Sequence, residues 1–187
     1  MADLSTSSAP DVVDDAERRW TYVVAAVVLF VFAAIVLAGV HWAAQPPSNV
    51  EPIDASRLHL AGEFMEHNLG TELQADGSAV VRVIAQQYSF VPGCIVVPAK
   101  TLVVFRTTSP DVVHGFLVVG TNVNTMVVPG FVSEVRTRFD AQGEHVMPCH
   151  EYCSVGHEGM WARVKVVERE EYARTYGTQR RASCVRK

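Results

Sequence analysis

The stretch Cys149-His-Glu151-Tyr-Cys153-Ser-Val-Gly-His157-Glu-Gly-Met160 gathers two thiols, an imidazole and a thioether in one short segment. Its pattern is C-x-E-x-C-x3-H-x2-M. Soft sulfur with nitrogen is a ligand set for copper, or failing that zinc. A further imidazole, His114, lies upstream after Ser109-Pro110-Asp111. A mononuclear blue-copper site uses one thiolate, two imidazoles and a weak axial methionine. The second cysteine allows more, because two thiolates can bridge two metal ions. One unpaired electron is then shared over both, and little geometry changes when an electron arrives or leaves. Binding keeps such thiols deprotonated. A structural zinc site and a disulfide framework are the alternatives. A Cys149–Cys153 bridge would close a very small loop and leave His157 and Met160 unexplained.

These side chains need a stiff frame, and the residues around them read as β-structure. After Asp76-Gly77 the pattern becomes rich in β-branched residues, beginning with Val80-Val-Arg-Val-Ile. Further strands are expected at Gln86–Val91, Cys94–Val97, Leu102–Thr107, Gly115–Val119, Asn122–Val127, Glu134–Phe139, Gly143–Met147 and Trp161–Val167. Turn signals such as Pro92-Gly93 and Pro129-Gly130 fall between them. Short strands at this spacing predict an all-β sandwich or barrel. The metal motif then lies on the loop between the strand ending at Met147 and the strand beginning at Trp161. His114 comes from a second loop at the same end. A domain of about 90 residues is small for a self-sufficient core, and a bound metal adds stability.

Tyr22 to Val40 carries no charge. At 1.5 Å per residue it reaches ~28 Å, the thickness of a bilayer's hydrocarbon core. Trp20 and Tyr22 at one end and Trp42 at the other suit the two interfaces. Arg18 and Arg19 precede the span, and no Lys or Arg follows until Arg57. The bias of basic residues places the N-terminus in the cytoplasm and the rest outside. A cleaved signal peptide, cut near Ala43-Ala44, is the competing reading, but the apolar run is long for one. The expected organisation is a cytoplasmic segment (1–20), a transmembrane helix (21–42), a linker with a short amphipathic helix (43–77), the β domain (78–168) and a basic tail (169–187). The helix is expected over Asp54–Leu69, capped by Asp54 or Ser56, facing a partner protein or solvent. The tail is expected to be loose or helical only in part.

The chain has 16 basic and 20 acidic residues, a balance that does not suggest nucleic-acid binding. Residues 78–168 carry seven of each sign. With no net field, encounter with a partner should depend weakly on salt. Cys94 and Cys184 are expected as free thiols. His150 is expected to face solvent or a partner, and Met126 and Met147 to sit in the core. Tyr88 and Phe90 are spaced to share one strand face.

The segments SPDVVHGFLVVGTNVNTMVVPG (109–130) and CHEYCSVGHEGM (149–160) resemble the outer domain of cytochrome c oxidase subunit II. The resemblance spans roughly residues 80–168, and the single span is similar to that of the ba-type haem-copper oxidases. It implies a cupredoxin-like Greek-key sandwich with one N-terminal transmembrane helix. It implies a binuclear copper centre, CuA, held by His114, Cys149, Cys153, His157, Met160 and the main-chain carbonyl of Glu151, whose side chain would help to bind magnesium. It implies Tyr88, with Phe90, near the point where electrons arrive. A c-type cytochrome or a small copper protein would donate them, and haem in subunit I would receive them for reduction of oxygen to water. A small helical subunit would supply a second span. The location implied is a bacterial-type cell membrane, with the copper domain on the periplasmic face. A membrane-tethered copper carrier or storage protein is the reading from a different class, and a quinol-oxidase subunit the near one.

Overall fold

The computed structural model describes residues 11–41, 51–176 and 183–184. The chain forms two compact units, divided after residue 49. The first contains α1 (Asp11–His41), whose segment Asp14–Val40 is long and apolar enough to cross a membrane, with none of it buried. The region of the alternative cut site, residues 43–44, lies outside the described residues.

The second unit contains β1 (Glu51–Pro52), β2 (Gly70–Leu73), β3 (Ala79–Gln86), β4 (Ser89–Val91), β5 (Cys94–Pro98), β6 (Leu102–Thr108), β7 (His114–Leu117), β8 (Asn124–Val127), β9 (Phe131–Arg138), β10 (Gly143–Pro148), β11 (Trp161–Val167) and α2 (Arg169–Tyr176). The larger sheet runs β1-β9-β6-β3-β2, with β4 also on β3; the smaller runs β10-β11-β5; β7 and β8 form a hairpin. The β3–β6 and β5–β11 pairs are parallel and the others antiparallel. This is the sandwich that the alternating apolar pattern predicts. Val81, Val83 and Phe105 of the larger sheet pack with Ile95, Val97, Val164 and Val166 of the smaller in one core.

The period-two alternation of β3 explains the other face of the larger sheet. Ile84 points away from the main core and joins Leu58, Phe64, Leu69 and Val132 in a second cluster. Arg82 and Arg106 lie on the outer side too. Arg106 binds Glu51, Glu63 and Glu134, and Arg82 binds Glu63 and Glu72. The amphipathic helix expected over residues 54–69 is therefore corrected. The segment forms two short 3-10 turns, Ala55–Arg57 and Glu66–Asn68. Asp54 caps the first through Ser56 N–H, but Gly62 at φ +93° breaks any helix between them. Its Leu58, Phe64 and Leu69 cover the domain's own sheet, while Leu60 is exposed.

The tail is helical in part, as expected, over Arg169–Tyr176. Tyr172 and Tyr176 of α2 are buried with Val96 and Val167. Cys94 and Cys184 are joined in a disulfide, not free. Ser183 bridges to Ile95, and Cys184 N–H donates to Cys94 O at 3.3 Å. The edge strand β5 is thereby covered, which protects it from pairing with another chain. The bridge closes 90 residues of sequence. Cys184→Ser is expected to cost about 2–4 kcal/mol of unfolding free energy, read by denaturant unfolding of the metal-free chain; an unchanged midpoint would contradict this.

Candidate metal centre

The loop 149–160 extends the β10–β11 hairpin. Its neck is closed by Cys149 N–H donating to Met160 O at 2.9 Å, just past the Pro148–Trp161 pair. Inside it, Gly156 takes φ +99° and opens a 3-10 turn over His157–Gly159. His157 N–H donates to Ser154 O, and Met160 N–H to His157 O. The turn brings His157 and Met160 back toward the cysteines.

β7 lies against the start of this loop. Phe116 bridges to Cys149, and His150 N–H donates to Gly115 O at 3.3 Å. Contact is so close that a Cβ on Gly115 would stand 2.6 Å from Glu151 N and 2.7 Å from His150 C. This approach delivers His114, the first residue of β7, to the cysteines.

The two sulfurs are central. Cys149 Sγ lies 3.8 Å from Cys153 Sγ. Cys149 Sγ also lies 3.8 Å from His114 Nδ1 and 3.3 Å from the Glu151 carbonyl oxygen. Cys153 Sγ lies 3.6 Å from His157 Nδ1 and 3.8 Å from Met160 Sδ. Each sulfur thus has its own imidazole and its own weak ligand atom. His114, Cys149, Cys153 and Met160 are buried. Among the described residues, His114, Cys149 and Cys153 are the group whose ligand atoms lie within 4.8 Å of one another. The structure gathers all six positions singled out from the sequence.

The electrostatics suit a cation. Burial, followed by the neighbouring Cys149 sulfur, pushes the Cys153 thiol well above the usual thiol range. Two adjacent buried thiols ionise together only against positive charge. Asp111 Oδ1 lies 2.9 Å from His114 Nε2. That contact places a proton on Nε2 and leaves Nδ1 free as the ligand atom. Burial works to raise the Asp111 pKa, but hydrogen bonds from His114, the Gln87 and Val112 N–H groups and Ser109 outweigh it and hold it below the usual range. The ligand atoms (two thiols, two imidazoles, a thioether and a carbonyl oxygen) fit copper.

Tyr88 and Phe90 do not share an environment. Tyr88 sits in the turn before β4, 49% exposed, its ring against Gly156. Phe90 is buried edge-on to Phe116 at 5.9 Å. His150 is exposed, as expected. Met147 is core, whereas Met126 is exposed, paired with Gly115 across the β7–β8 hairpin. The Glu151 carboxylate accepts Tyr152 N–H at 3.1 Å. Sequence reasoning passed over Asp111, Gln87 and Gly115. Only Gly115 carried a signal: a residue with no side chain directly beside a ligand.

Residues 79–167 match the family described as cytochrome C oxidase subunit II, periplasmic domain. A cytochrome c oxidase subunit 2 of Thermus thermophilus is 36% identical over 143 residues, covering 75% of this chain and 85% of that one. The chain belongs to the cytochrome c oxidase subunit II family. A second Thermus thermophilus subunit 2 sequence is 36% identical over 123 residues, covering 66% of this chain and 91% of that one. A chain of a heme-copper terminal oxidase dimer superposes with a TM-score of 0.54 at 27% identity, covering 81% of this chain and 99% of that chain. As a subunit II, the protein is one component of a haem-copper oxidase. It carries the family's copper-binding, cupredoxin-like domain behind one candidate transmembrane helix.

Proposed function

We propose that this subunit II accepts single electrons from a c-type cytochrome, or a small copper protein, and passes them to haem in subunit I, where oxygen is reduced. The observation that carries this reading is the pair of sulfurs 3.8 Å apart, each with its own imidazole. A copper pair bound there would supply one-electron redox chemistry. Cys149 and Cys153 would hold both ions, and His114 and His157 would each supply an imidazole ligand. Met160 and the Glu151 carbonyl are the weak ligands. The Glu151 side chain is the group that would help to hold magnesium at the contact with subunit I. The β sheets and the closed loop neck keep ligand positions fixed in both redox states, so little reorganisation accompanies transfer.

The domain lies on the outer, periplasmic face, with residues 1–20 cytoplasmic. Arg18 and Arg19 before the span support that orientation. The Cys94–Cys184 disulfide supports it independently, because such bonds persist in oxidising compartments.

The partner protein docks over the loop. Tyr88, Tyr152, Val155 and Trp161 are exposed there and make an apolar rim. Tyr88, whose ring lies against Gly156, is the contact at which electrons arrive, while Phe90 is buried in the core. The test mixes the copper-loaded full chain in detergent with a reduced c-type cytochrome in a stopped-flow instrument. One cytochrome oxidised per copper pair is expected. A chain that binds only Cu(I) and oxidises none is the carrier outcome and overturns the reading. Across ionic strengths up to the physiological range, the rate should change by less than about threefold. A steep fall with salt would instead mean that charge guides docking.

A further inference from the structure

Gln87 is not a ligand, yet it is tied to both halves of the site. It lies in the turn between β3 and β4. Its backbone N–H donates to Asp111 Oδ2 at 2.8 Å. The other oxygen of that carboxylate, Oδ1, lies 2.9 Å from His114 Nε2. In the opposite direction the Gln87 side-chain amide donates to the Cys153 carbonyl oxygen at 2.9 Å. A path His114–Asp111–Gln87–Cys153 therefore joins the imidazole beside one thiol to the backbone of the other. It runs outside the loop that carries the cysteines.

The bonded carbonyl precedes a difficult turn. Ser154 has φ +119°, a region that side-chain-bearing residues avoid. Gly156 follows at φ +99°. Both values lie between Cys153 and His157, whose Nδ1 stands 3.6 Å from Cys153 Sγ. Glycine adopts such angles freely, but Ser154 needs something to keep it there. The Cys153–Ser154 peptide plane is the point at which the Gln87 amide grips the turn.

We infer that Gln87 is a positioning residue of the metal centre. Its amide pins the Cys153 carbonyl and so holds the Ser154 turn that presents His157. Its N–H, through Asp111, keeps His114 in step. The copper readouts below rest on the proposed function, whereas the exchange readout does not. Gln87 itself is exposed, so its replacement takes little from the core.

The experiment uses the full chain in detergent, as parent, Gln87→Leu, and Gln87→Leu with Ser154→Gly. Leucine removes the amide donor and leaves the backbone bond to Asp111 possible. In the metal-free protein, amide hydrogen exchange of residues 154–157 should quicken about tenfold in Gln87→Leu, the size of one lost hydrogen bond, with β3, β6 and β9 unchanged. In the copper-loaded protein, loss of copper to a chelator should quicken about tenfold, and the spin-resonance hyperfine pattern should change. Ser154→Gly in the same background should slow copper loss back toward the parent rate, because glycine accepts the turn without being held. Exchange that is unchanged, or faster throughout the sheets, overturns the inference, as does a double variant that loses copper as fast as Gln87→Leu. If the parent itself takes up no copper pair, the functional reading fails, while the exchange arm still decides whether Gln87 holds the turn.

Discussion

Serine at Cys149 or at Cys153 is expected to leave a folded chain that no longer holds a copper pair. Each sulfur sits between the other sulfur and an imidazole, Cys149 beside His114 and Cys153 beside His157. A serine hydroxyl is a hard, neutral ligand at ordinary pH and does not bridge soft metal ions. Placing it among buried apolar neighbours costs about 1–3 kcal/mol, a modest loss beside the core formed by the two sheets. Removal of an outer partner of a metal ligand commonly costs 10–100-fold in affinity. Loss of a bridging ligand should exceed that, so oxidation of the cytochrome should fall by more than about 100-fold. Metal content and stopped-flow oxidation check this. Full turnover in both serine variants would mean that the thiols do not form the centre.

Gly115→Ala is expected to damage the same site while leaving every ligand in place. The new Cβ would meet Glu151 N at 2.6 Å and His150 C at 2.7 Å. Both are backbone atoms, so neither can swing aside as a long side chain would. The loop must move away from β7, stretching the bond from His150 N–H to Gly115 O and the spacing between His114 and Cys149. Overpacking of this kind costs about 1–3 kcal/mol. Copper affinity should fall at least about tenfold, since ligands carried on separate elements lose their common position. Gly159→Ala is the control, because a Cβ there meets nothing within 4 Å, and it should bind copper as the parent does. A competitive chelator titration compares the three proteins. Equal affinity for all three would show that the closeness of β7 and the loop does not set the site.

The parts of this molecule that could be read from its sequence are those that obey a short-range rule. The ligand spacing of Cys149, Cys153, His157 and Met160 is local, and so is the apolar run of α1. The alternation of Trp161–Val167 matches β11 residue for residue. The misreadings have a common physical origin in contacts far apart along the chain. Leu58, Phe64 and Leu69 are spaced near a helical period, yet their purpose is to cover Ile84 and Val132 on a sheet face. Arg82 and Arg106 hold that segment down through Glu63, 19 and 43 residues away, and no spacing rule encodes such pairing. The Cys94–Cys184 bridge likewise depends on α2 folding back on β5. Asp111 and Gln87 escaped notice because they act on the ligands through hydrogen bonds that only the folded loops create.

Two coppers held by Cys149 and Cys153 would share one unpaired electron. That sharing is tested most directly by spin resonance of the full chain, loaded with copper in detergent and poised half-oxidised. Equal sharing over two copper nuclei should give up to seven hyperfine lines, at two coppers per chain. A four-line pattern from a single Cu(II), or a silent chain holding only Cu(I), would contradict it.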